Sequence, residues 1–114
     1  MSALENRRRS ERVVLRMAVL VVAEDEERKQ IQERAETQVV NAHGGLLRLT
    51  HHLHIGQPFY LNNPQNGEEV SCRVVRIEED GLHAFKVAFE FDRPAPHFWP
   101  VSFPPADWAA SKVK

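Results

Sequence analysis

His83-Ala84-Phe85-Lys86-Val87-Ala88-Phe89-Glu90-Phe91-Asp92 is the stretch that decides the fold. His83, Phe85, Val87, Phe89 and Phe91 fall on one side of a period-two pattern, and Ala84, Lys86, Ala88, Glu90 and Asp92 on the other. Aromatic and β-branched residues at alternate positions describe a strand with one buried face, because successive side chains of extended backbone point to opposite sides. Working back along the chain, Asp80-Gly81 marks a tight turn, and Val70-Ser71-Cys72-Arg73-Val74 alternates in the same way. Asn66-Gly67 is the favoured chemistry of a two-residue hairpin, and Asn62-Asn63-Pro64 adds a further turn signal. Pro58-Phe59-Tyr60-Leu61 and Leu46-Leu47-Arg48-Leu49 read as short strands joined by residues 51–57.

The N-terminal half holds the longest β-branched run. In residues 13–22 the odd positions Val13, Leu15, Met17, Val19 and Val21 are all apolar, whereas the even ones include Arg16. That is one long strand with a buried face. Residues 23–36 admit two readings. Their composition favours a helix, but Ile31 is the one large apolar side chain there, so a polar β-ribbon running into Thr37-Gln38-Val39-Val40 fits equally well. Short strands separated by hairpin signals predict a small six-stranded antiparallel barrel, an all-β fold. From Arg93 the pattern changes: Pro94, Pro96, Pro100, Pro104 and Pro105 interleave with Phe98, Trp99, Phe103 and Trp108. Such a segment cannot be a regular strand and is expected to clamp a barrel mouth or flank, with a helical turn near Asp107. The expected organisation is one domain over 1–114, with a basic arm at 1–12, the barrel at 13–92 and a Pro/aromatic extension at 93–114.

Composition narrows the function. The 114 residues are 42% hydrophobic and 27% charged with a formal net charge of −1, which describes a soluble globule and argues against a coat for nucleic-acid polymers. A single cysteine, Cys72, excludes an internal disulfide and fits a reducing, cytoplasmic setting. The apolar run at 17–23 is too short to insert in a bilayer. Charge is uneven, however: residues 7–12 carry four arginines and one glutamate, and residues 24–27 read Glu-Asp-Glu-Glu. An anion site should therefore be local and N-terminal.

Two features point to such a site. Asn6-Arg7-Arg8-Arg9-Ser10-Glu11-Arg12 abuts the first long strand, with Arg8 and Arg12 at Arg-x-x-x-Arg spacing. Guanidinium groups fork onto phosphate oxygens and stack on bases. Asn41-Ala42-His43-Gly44-Gly45 then forms a glycine turn between strands, where backbone can approach a ligand without a Cβ in the way. Asn41 and His43 add donors for a base or phosphate. Arm, long strand, ribbon, glycine turn and barrel occur in one order.

That order resembles the PilZ domain family of bacterial cyclic di-GMP receptors, over roughly residues 5–95. Members carry an Arg-x-x-x-Arg arm before the first barrel strand and Asp/Asn-x-Ser-x-x-Gly after the second. The arm is matched by Arg8 and Arg12, with Arg7 just before. The second motif departs from the pattern. With Gly45 as its last residue, Val40 and Ala42 stand where Asp/Asn and Ser belong; with Asn41 as its first, His43 and Leu46 replace Ser and Gly. The resemblance implies a PilZ-like split barrel with a C-terminal extension or short helix. It also implies a cyclic di-GMP-binding signalling effector that is not an enzyme, with Arg7, Arg8 and Arg12 facing Asn41, His43 and Gly45 across the ligand at the barrel mouth. A protein partner in a signalling pathway would follow. The altered motif supports an alternative: a barrel of this architecture that works as a protein-interaction module without nucleotide.

Other chemistries are weaker. His51-His52-x-His54 brings imidazoles together, but no carboxylate lies within the segment, and they read as exposed loop residues. Cys72 alternates with Val70 and Val74 and reads as an inert core thiol. No nucleophile–base pair or phosphate-cradling loop is visible.

Overall fold

The computed structural model describes residues 12–101. Seven strands form one sheet: β1 (Val13–Val14), β2 (Ala18–Glu24), β3 (Gln30–Asn41), β4 (Gly44–Leu49), β5 (Pro58–Asn62), β6 (Glu69–Glu79) and β7 (Phe85–Phe91). Their order is β1-β3-β2-β5-β6-β7-β4, and β3 pairs again with β4. All pairings are antiparallel, so β3, β2, β5, β6, β7 and β4 close into the expected six-stranded barrel, with β1 as an added strand. Closure leaves these six strands without a free edge. The inward residues named by the alternation form the core, including Val19, Val21, Leu47, Leu61, Val74, Val87 and Phe89. Cys72 is fully buried among them, and burial pushes its thiol pKa well above the ordinary range.

Residues 30–41 are strand, not helix. Extended backbone lets Ala35 and Thr37 turn inward while Glu36 between them faces out, an arrangement a helix could not offer. The preceding turn is set by Asp25, whose Oδ1 accepts from the backbone N–H of Glu27 (2.8 Å) and Lys29 (2.9 Å).

The long strand expected over 13–22 is broken. β1 and β2 lie end to end along the same edge of β3, separated by residues 15–17. Thr37 bridges the break: its buried Oγ1 donates to the Leu15 carbonyl (2.5 Å) and accepts from the Met17 N–H (3.1 Å). The pairing of β3 with β4 shifts register between Thr37 and Val39, so both edges of β3 are irregular at this corner. A bulge bends the strand there, as closure of a small barrel requires.

Asn66-Gly67 also differs from expectation. Asn62 pairs with Glu69, so the two residues belong to a six-residue loop and not a two-residue hairpin. Asn63 determines this. It is buried, its Nδ2 donates to the Phe98 carbonyl (2.7 Å), and its own carbonyl accepts from Gly67 N–H (2.8 Å).

The described part of the extension, residues 93–101, packs against the barrel. A short 3-10 turn (Pro96–Phe98) brings Phe98 and Trp99 into the core, against Phe91 at ring-centroid distances of 5.6 and 5.9 Å. Phe103, Trp108 and the turn expected near Asp107 lie outside the described residues. No helix among the described residues is long and apolar enough to cross a membrane.

Glu33 ties the loop after β4 to β3. Its carboxylate accepts from Thr50 N–H (2.7 Å), Thr50 Oγ1 (2.9 Å) and His51 N–H (3.0 Å), and lies 2.7 Å from His51 Nδ1. Burial acts to raise its pKa, but these hydrogen bonds outweigh it and leave the group below the usual carboxylate range. A depressed folded-state pKa adds stability above the unfolded value, lost as pH falls through the folded one. The stability gap between wild type and Glu33→Gln should therefore be widest near neutral pH and narrow as pH falls through the depressed folded-state value, measured by denaturant unfolding across pH. For Thr37→Val, which orphans the buried Met17 amide and the half-buried Leu15 carbonyl, the same measurement should give a loss of about 1–3 kcal/mol for the amide and less for the carbonyl.

Candidate functional site

The pairing register brings the two sequence motifs together. Val13 lies opposite Val40, Val40 opposite Gly45, Gly45 opposite Phe89, and Phe89 opposite Val74, a row across β1, β3, β4, β7 and β6. One step along the strands, Asn41 faces Gly44, Gly44 faces Glu90, and Glu90 faces Arg73. Arg12 directly precedes Val13, so it emerges at the Asn41 end of β3.

An open cleft of about 310 Å³ sits there. Arg12, Asn41, His43 and Gly45 line it together, and so do Leu46, Arg76 and Glu90. Four of the six residues singled out in the sequence thus converge on one surface; Arg7 and Arg8 lie outside the described residues. Half-buried Val39, Leu46 and Ala88, which also line the cleft, alternate with buried Val40, Leu47 and Val87. Their side chains therefore face away from the core. The cleft is on the outer surface of the barrel beside the turn, and not in its mouth, because Phe98 and Trp99 fill the interior below that turn.

The turn is held from beneath. Trp99 Nε1 donates to the Asn41 carbonyl (2.9 Å), Ala95 N–H to the Ala42 carbonyl (3.0 Å) and Phe91 N–H to the His43 carbonyl (2.8 Å). Asn41 Oδ1 accepts from His43 N–H at 2.7 Å, which fixes the turn from within. Val40 is fully buried, whereas Asn41 is half-buried and lines the cleft. Asn41 is thus the polar residue of the turn motif that faces the surface.

The glycines answer to the barrel itself. A Cβ on Gly44 would lie 2.1 Å from the Phe89 carbonyl oxygen and 2.9 Å from Glu90 Cα, and one on Gly45 would lie 2.7 Å from the Val39 carbonyl oxygen. The missing Cβ atoms admit the neighbouring strands, so the pair is required for closure whether or not a ligand approaches.

Arg76 was not legible as a cleft residue. Strict alternation from Val70, Cys72 and Val74 turns residue 76 inward. The register between β6 and β7 shifts between Val74 and Arg76, leaving Val75 as an extra residue, and Arg76 then pairs with Ala88 on the outer face. Its Nε lies 3.3 Å from Glu78 Oε2. The cleft therefore has guanidinium groups on two walls, Arg12 beside β3 and Arg76 on β6, over a floor of apolar side chains. Such a surface suits a planar ligand bearing negative charge.

At the other end of the chain's histidine cluster, His52 and His54 rings stand 5.4 Å apart, and His54 Nε2 is 3.6 Å from Glu26 Oε2. Among the described residues, no group of three or more His, Cys, Asp and Glu side chains is arranged to hold a metal ion.

A family model for the PilZ domain matches residues 6–97, and the chain belongs to that family. It is a family of binding and adaptor domains that generally take cyclic di-GMP and act through other proteins. No curated protein and no solved structure matched the chain.

Gly44→Ala should destabilise the fold by about 1–3 kcal/mol, since backbone atoms must move to admit the methyl group. Thermal and denaturant unfolding of the purified variant checks this.

Proposed function

We propose that this domain binds cyclic di-GMP on the outer barrel face, in the cleft between Arg12 and Arg76, and passes the signal to a protein partner in the cytoplasm. The supporting observation is the convergence of Arg12, Asn41, His43 and Gly45 on one cleft from segments far apart in sequence. Arg8 and Arg12 clamp the phosphates and stack on guanine, with Arg7 assisting. Asn41, His43 and the Gly45 backbone form the facing wall, and Val39, Leu46 and Ala88 give a flat apolar floor for a base. The four arginines in residues 7–12 repel one another. A doubly anionic ligand neutralises them and draws the arm across the cleft, which creates the surface a partner recognises.

The departure from the family's turn motif sets the affinity scale. Each missing hydrogen bond to a charged partner is worth about 1.5–3 kcal/mol, or about ten- to a hundredfold in affinity. Binding in the tens to hundreds of micromolar is the expectation. The second reading, a protein-interaction barrel without nucleotide, is favoured by Val40 and Ala42, both buried where one alignment of the motif puts its polar residues.

Calorimetry separates the two. Heat of binding with cyclic di-GMP at several hundred micromolar protein, lost in the Arg8→Ala/Arg12→Ala double variant and weakened by added salt, supports the nucleotide reading. Absence of heat in the wild type, with capture of a partner that is indifferent to both arginines, supports the other.

A further inference from the structure

Glu90 of β7 is the one carboxylate among the described residues that line the cleft. It occupies an outward, exposed position, with Gly44 beside it on β4 and Arg73 beside it on β6. Its carboxylate makes no hydrogen bond or ion pair among the described residues. A surface made only to attract phosphate would be weakened by it, since like charges repel at short range. The same group is complementary to guanine. The Watson–Crick edge of that base presents N1–H and the N2 amino group side by side, two donors that one carboxylate accepts together. Adenine presents an acceptor at N1 and would not pair with it.

We propose that Glu90 reads the guanine edge of the ligand and sets the base specificity of the cleft. This rests on the cyclic di-GMP reading above. Asn41, the polar residue of the turn, has its Oδ1 engaged by the His43 N–H, so the acceptor that guanine needs comes from β7, on the far side of β4. Gly44, the cross-strand neighbour of Glu90, has no side chain to cover the carboxylate. Arg12 and Arg76 on the flanking walls then hold the phosphates while Glu90 selects the base.

The test compares the full chain with Glu90→Ala and Glu90→Gln by calorimetry, using cyclic di-GMP, cyclic di-IMP (which lacks the 2-amino group) and cyclic di-AMP. Wild type should prefer cyclic di-GMP to cyclic di-IMP by about tenfold or more, one charged hydrogen bond. Glu90→Ala should weaken cyclic di-GMP by about ten- to a hundredfold and erase the preference, with cyclic di-IMP affected less. Glu90→Gln, which keeps one acceptor oxygen and adds a donor, should fall between. If wild type binds and Glu90→Ala binds cyclic di-GMP as tightly or more tightly, Glu90 merely repels phosphate and the proposal is overturned. The same follows if the variant keeps the preference over cyclic di-IMP. If wild type binds none of the three, the nucleotide reading itself fails and takes this inference with it.

Discussion

The C-terminal end of β3 is hydrogen-bonded on both edges, and the rest of the site depends on that. Val39 and Val40 pair with β1 on one side, while Val39, Val40 and Asn41 pair with β4 on the other. The first pairing fixes where the N-terminal arm leaves the barrel, and the second fixes the glycine turn. Were β1 to detach, Arg12 would lose its place beside Asn41. The close approach of Gly44 to the Phe89 carbonyl completes the arrangement, since it lets β4 join β7 and carries Glu90 to the same surface. The absence of Cβ atoms at 44 and 45 lets the neighbouring strands approach closely at the cleft.

Rigidity under the turn comes from the extension. All three backbone carbonyls of residues 41–43 accept hydrogen bonds from residues 91–99, and the aromatic rings of Phe91, Phe98 and Trp99 pack below them. A turn so anchored presents Asn41 and His43 in a fixed geometry, which under the proposed function would reduce the ordering cost of binding. Phe98 and Trp99 therefore support the turn from below as part of the core.

The barrel was legible because period-two alternation survives in most strands: the inward faces of residues 19–23 and 85–91 read directly from the sequence. What failed has local physical causes. Unbroken alternation over residues 13–22 concealed the break at 15–17, because the residue that heals it, Thr37, sits in another strand. The Asn66-Gly67 hairpin was overridden by Asn63, whose bond to the Phe98 carbonyl needs tertiary contact. Residues 23–36 were undecidable because pairing, not propensity, makes strand of 23–24 and 30–36 on either side of the Asp25 turn. In the cleft, Arg12, Asn41, His43 and Gly45 carried a signal as motifs. Arg76 carried none, since only the bulge at Val75 turns it outward, and Glu90 became visible only once the register placed it beside Gly44. The sequence pointed to the barrel mouth; the cleft that Arg12, Asn41, His43 and Gly45 line lies on the outer face, above an interior filled by Phe98 and Trp99.

An amide NMR titration of the isotopically labelled chain with cyclic di-GMP tests the central claim most directly, because it reports the ligand and its location together. Shifts are expected at residue 12, across 39–46, and at 75–76 and 88–90, with the hairpin at 24–30 and the histidine loop at 51–57 unmoved. Shifts centred on that opposite hairpin and loop, or an unchanged spectrum at saturating nucleotide, would contradict it.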